Sequence, residues 1–164
     1  RRLSDSVGTP ICTGEDIYLK EGFDALFQKH AIAIAHPDLA TAGGIVETKK
    51  IGDRAQEKGI AMALHMAMSP IAALAAVHCA AATENFIALE NHSVDDLLRW
   101  SHLVDGLPVP LIQDGYISVP EGPGLGFKNL NHEMLLEFIA PDDPGVFEPT
   151  PRWDHEQSND HLWS

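Results

Sequence analysis

Four ionisable residues stand at matching places in the chain: Glu15, Asp38, His65 and Glu90. Each lies just past a short apolar run. "PICT" leads into Gly14-Glu15, and "AIAIA" into His36-Pro37-Asp38. "IAMAL" leads into His65, and "NFIAL" into Glu90. The chemistry this set suggests is proton transfer. Histidine is the natural general acid or base near neutral pH, which singles out His65. Asp38 can hydrogen-bond its imidazole and fix the tautomer. A carboxylate after an apolar strand is costly unless it is paired or functional, so Asp38 needs such a partner. Glu15 offers a hard oxygen suited to Mg²⁺. Glu90 can donate or accept a hydrogen bond at a developing oxyanion if its surroundings keep it protonated.

The elements that must position these residues follow from the pattern. The apolar runs at 10–13, 31–35, 60–64 and 85–89 read as strands buried on both faces, as in parallel sheets. A helical stretch follows each: 21–29, 44–58 with Gly59 as its stop, 69–82 with Ser69 as N-cap and Pro70 at the first position, and 93–104 capped by Ser93. Strand and helix alternate four times, an α/β pattern that predicts a parallel sheet or barrel. In strand phase, Glu15 shares a face with Ile11 and Thr13, Asp38 with Ile34 and His36, His65 with Ala61 and Ala63, and Glu90 with Phe86 and Ala88. All four therefore point one way at the C-terminal ends of the strands, where parallel α/β folds bind ligands.

Beyond residue 106 the chain turns rich in Pro and Gly and reads as loops with one or two extended pieces. Residues 131–139 suit a short helix or strand. Residues 140–164 form an acidic, proline-containing tail in which Trp153 and Trp163 are candidate surface anchors.

Bulk composition excludes several functions. The 164 residues carry 24 acidic against 11 basic side chains, a net charge of −13, which argues against nucleic acid as a partner. No run approaches a membrane span, and "RRLSDSVG" has no signal-peptide core, so a cytoplasmic protein without a membrane partner is the expectation. Cys12 and Cys79 read as buried thiols rather than a disulfide or redox pair.

Other histidines and glycines weigh less. Taken singly, a carboxylate after a strand is more often a helix cap, and a histidine beside an apolar strand more often structural. The repetition at four equivalent places raises the functional reading. His36, one strand step before Asp38, reads as a supporting or substrate-binding residue. His78, inside an Ala-rich helix, reads as structural, and His30, His92 and His102 as surface residues. Gly43-Gly44 lacks the G-x-G-x-x-G phosphate pattern and reads as a tight turn into the second helix.

These residues carry a family resemblance. "PICTGE", "HPDLATAGGI", "MALH" with "SPIAALAAVH", and "NFIALE" resemble the last four βα units of the enolase superfamily, and most resemble the mandelate racemase group with its acid-sugar dehydratases. "LIQDGYISVPEGPGLGF" resembles the segment that leaves the barrel for the capping domain. The resemblance spans roughly residues 5–130. It implies the C-terminal half of a TIM-type (β/α) barrel over residues 1–105, a segment at 106–139 that returns toward a capping domain, and the tail at 140–164. It implies that Glu15 is a Mg²⁺ ligand, that Asp38 and His65 form the Asp–His dyad, and that Glu90 is the acid that hydrogen-bonds the substrate carboxylate or enolate. Asp38 stands where the muconate-lactonizing group carries a lysine, which favours the mandelate racemase group. The implied reaction is Mg²⁺-dependent abstraction of the proton alpha to a sugar-acid carboxylate, followed by loss of water. A homo-oligomer is the family tendency.

A complete barrel takes about 250 residues. The resemblance therefore implies a longer enzyme, and the 164 residues alone are expected to be inactive. Two alternatives stand beside dehydration: a racemase, epimerase or cycloisomerase of the same group, and a non-enzymatic half-barrel that folds against a partner chain.

Overall fold

Short apolar runs punctuated by Gly, Pro and polar residues give four brief parallel strands, each followed by a helix or a helical turn. The computed structural model describes residues 1–93 and 97–139. The strands are β1 (Cys12–Thr13), β2 (Ile34–Ala35), β3 (Ala61–Leu64) and β4 (Phe86–Leu89). They pair in parallel in the order β1-β2-β3-β4. The helices are α1 (Arg2–Ser6), α2 (Leu19–Gln28), α3 (Gly44–Gln56), α4 (Pro70–Ala81), α5 (Leu97–Ser101) and α6 (His132–Phe138). This is half the strand number of a (β/α)₈ barrel, laid out as an open parallel sheet.

Local chemistry explains the helix limits. At α4, Ser69 Oγ accepts from the Ala72 amide at 3.4 Å and Pro70 takes the first position. That contact is long, so Ser69→Ala is expected to cost about 0.5–1 kcal/mol, at the low end for caps. A urea titration would measure it. Gly43, at φ +117°, starts α3 where a Cβ would meet Glu47 Cβ at 2.9 Å, so both backbone and space require glycine. Gly59, at φ +67°, follows the end of α3 and donates to Gln56 O at 2.9 Å.

The helix expected at 21–29 begins at Leu19, because Glu47 of α3 accepts from the Lys20 amide at 2.9 Å. That amide first, and the Lys50 ammonium next, hold the Glu47 carboxyl below its ordinary range. The segment at 131–139 is helical, with Asn131 accepting from the Met134 amide at 3.2 Å. The helix expected at 93–104 is described only as Leu97–Ser101. Its Ser93 start adjoins residues 94–96, and the tail at 140–164 with Trp153 and Trp163 likewise lies outside the described residues.

The core runs along the sheet in three clusters. Phe23 and Phe27 of α2 meet Ile51 and Ala55 of α3 over β2. Met62 and Leu64 of β3 meet Ala76 and Cys79 of α4. Leu74, Trp100 and Leu111 form the third, against which Ile117, Leu125 and Phe127 of the 106–139 segment pack. His78 lies in this helix layer, 3.4 Å from Leu125 O, a structural contact.

Two expectations need correction. Burial on both faces holds for β3 but not for the edge strands: both residues of β1 are exposed, and Ile87 of β4 is 57% exposed. β1 and β4 are the outer strands of the four that this chain supplies, so each has a neighbour on one side only. For the same reason Cys12 on β1 is exposed, whereas Cys79 is buried. Burial raises the Cys79 thiol above its ordinary range.

Candidate active site

The strand ends place one residue after another along a single edge. Three amides in that row are bonded to the neighbouring strand or the residues just past it. His36 donates to Thr13 O at 3.0 Å, His65 to Pro37 O at 3.1 Å, and Glu90 to Leu64 O at 2.8 Å. Asp38 and His65 form a parallel bridge beyond β2 and β3. Their side chains are thus fixed to the sheet rather than to loop tips.

Asp38 is 5% exposed. Its Oδ1 accepts from the Ala40 amide at 2.8 Å, and its Oδ2 lies 2.7 Å from His65 Nδ1. The buried carboxylate is therefore satisfied on both oxygens. The pairing places the proton of neutral His65 on Nδ1 and leaves the Nε2 lone pair free. Nε2 faces Glu15 Oε2 at 3.3 Å and Glu90 Oε2 at 3.9 Å.

Glu15 reaches this point through a turn that only glycine permits. Gly14 has φ +137°, and a Cβ there would meet Phe23 Cε1 at 2.6 Å and the His36 amide nitrogen at 3.3 Å. The Phe23 ring, fully buried, is the wall that sets the turn.

His36 packs edge-on against His65 with ring centroids 5.5 Å apart, and its Nε2 lies 2.7 Å from Glu90 Oε2. Its Nδ1 is buried with no hydrogen-bond partner among the described residues. Glu90 Oε1 lies 2.7 Å from His92 Nε2, and the His92 ring sits 5.6 Å from that of His65. Glu15, His36, Asp38, His65 and Glu90 therefore converge on one edge of the sheet.

His92 is exposed, as expected of a surface histidine, and also joins the cluster. Its signal was the spacing Glu90-Asn91-His92, which returns a side chain to the same side of an extended chain. Glu90 is held below the ordinary carboxyl range, first by the hydrogen bond from His92 and then, against some burial, by that from His36. In this arrangement its two oxygens lie 2.7 Å from His92 Nε2 and His36 Nε2.

The donor set also bears on Mg²⁺. Glu15 is a hard oxygen donor whose side chain is 54% exposed at the open edge. It suits a cation that keeps several waters and takes one or two carboxylates. Glu15 thus fits as one ligand for Mg²⁺.

Among the described residues, no helix is long and apolar enough to cross a membrane. A model of the enolase C-terminal domain-like family matches residues 1–132. D-xylonate dehydratase of Haloferax volcanii is 43% identical over 124 residues, covering 76% of this chain and 29% of that protein. D-galactonate dehydratase of Ralstonia nicotianae is 29% identical, covering 99% of this chain and 42% of that protein. A crystal structure of a mandelate racemase/muconate lactonizing enzyme-like protein from Rubrobacter xylanophilus superposes with a TM-score of 0.80 at 37% identity, covering 88% of this chain and 36% of that one. The chain thus spans less than half the length of each of these relatives.

Proposed function

The chain belongs to the enolase C-terminal domain-like family, and from that premise we propose that the protein carrying it is a Mg²⁺-dependent dehydratase of sugar acids. The observation that carries the reading is the His65 Nδ1–Asp38 Oδ2 contact of 2.7 Å, which turns Nε2 toward an open edge flanked by Glu15 and Glu90. The dehydratase names of the relatives support it.

In this reading a 2,3-dihydroxy acid lies at the strand ends with its carboxylate toward Glu15. When bound, Mg²⁺ would offset the negative charge that develops on that carboxylate. His65 Nε2 takes the proton from C2. Asp38 stabilises the resulting imidazolium and keeps the ring oriented. His65 then returns the proton to the C3 hydroxyl as the C3–O bond breaks, and water leaves. The enol so formed takes a solvent proton at C3 and becomes a 2-keto-3-deoxy acid. Glu90, ionised, accepts from substrate hydroxyls, and His36 holds Glu90 in place beside them. The reading also includes a homo-oligomer in the cytoplasm, with residues 106–139 leading back to a capping domain.

A panel of sugar acids that includes D-xylonate and D-galactonate tests the class, with Mg²⁺ present and products identified by mass spectrometry. A 2-keto-3-deoxy acid is expected. An epimer or a lactone in its place would give the reaction to the racemase or cycloisomerase alternative. In the same assay, Glu15→Gln is expected to raise the Mg²⁺ needed for half-maximal activity by roughly tenfold or more, because a contact to a charged group contributes about 1.5–3 kcal/mol. An unchanged Mg²⁺ requirement would remove Glu15 from the metal site.

A further inference from the structure

One part of the cluster is poorly matched to Mg²⁺. His65, Glu90 and His92 each offer a ligand atom, and the three atoms lie within 4.8 Å of one another. Two imidazole nitrogens and one carboxylate oxygen form the donor set of Zn²⁺ and its neighbours, whereas Mg²⁺ selects oxygen and water. We propose that His65, Glu90 and His92 form a site for a transition-metal ion of the Zn²⁺ class, beside Glu15, whose Oε2 lies 3.3 Å from His65 Nε2.

Three features of the geometry support the site. Asp38 accepts from His65 Nδ1 at 2.7 Å and leaves Nε2 as the outward ligand. This carboxylate–histidine arrangement orients and strengthens a metal-binding imidazole. His92 is half exposed, with Nε2 already 2.7 Å from Glu90 Oε1, so the pair is gathered before any ion arrives. Glu90 is also steadied by His36 on its other oxygen. Three protein ligands at an open edge leave a fourth position for water, as in metal sites that exchange ligands.

The site follows from ligand chemistry and stands whether or not the dehydratase reading does. Its consequence for that reading is direct: an ion on Nε2 removes the lone pair that would take the substrate proton.

Co²⁺ is the probe, titrated into the purified protein in excess Mg²⁺ and followed by its visible absorption, with Zn²⁺ added to displace it. One ion per chain is expected, with the intense bands of a low-coordinate nitrogen–oxygen site. His92→Ala is expected to weaken binding by more than the roughly 10–100-fold that loss of an orienting partner alone costs. His92→Gln, checked like His92→Ala by circular dichroism, separates ligand loss from any folding defect, because glutamine keeps a side chain that can bond Glu90. Binding that survives both His92 variants would overturn the proposal.

Discussion

His65→Asn is expected to lower dehydration by the protein by about 10²–10⁴-fold while leaving the fold intact. The expectation rests on what asparagine keeps and what it loses. Its amide can still donate to Asp38, so the buried carboxylate, whose side chain is 8% exposed, stays paired. It has no nitrogen that can take and return a proton at the Nε2 position. Binding of the sugar acid should therefore survive better than turnover, with the loss in kcat and not in KM. Product formation and a thermal melt, measured together, separate loss of chemistry from loss of structure. Wild-type turnover in this variant would remove His65 from the reaction.

Phe23→Ala is expected to cost about 3–5 kcal/mol of folding stability. The ring is fully buried, stacks 5.6 Å from Phe27, and belongs to the cluster that joins α2 and α3 to β2. It also forms the wall under Gly14, so its removal loosens the turn that carries Glu15. Phe23→Leu fills more of the space and should lose less than half as much. Urea denaturation reads both variants. Equal stabilities for wild type and Phe23→Ala would show that this cluster does not hold the sheet.

The strand–helix alternation was legible because apolar runs and their caps are local signals. Ser69-Pro70 at α4 and the Gly43-Gly44 turn at α3 are set by neighbours in sequence. The matching positions of Glu15, Asp38, His65 and Glu90 were legible because parallel strands in register deliver equivalent residues to one edge. What escaped the sequence depends on contacts between distant segments. Glu47 of α3 reaches the Lys20 amide and lengthens α2, and no residue near Lys20 signals it. Exposure of Ile87 and Cys12 follows from the outer places of β4 and β1 among the four strands of this chain, which depend on the order of strands and not on nearby residues. The lowering of the Glu90 carboxyl follows from two histidines that converge on it from different positions, His92 beside it and His36 beyond β2.

The central claim is that the Asp38–His65 pair moves a proton at the carbon beside a sugar-acid carboxylate. The most direct test is to run the reaction in D₂O with Mg²⁺, wild type against His65→Asn, and to read the product by NMR. Wild type should give a 2-keto-3-deoxy acid with one solvent deuterium at C3, and His65→Asn should return the starting acid with its C2 hydrogen in place. Deuterated product from both proteins at similar rates would contradict the claim.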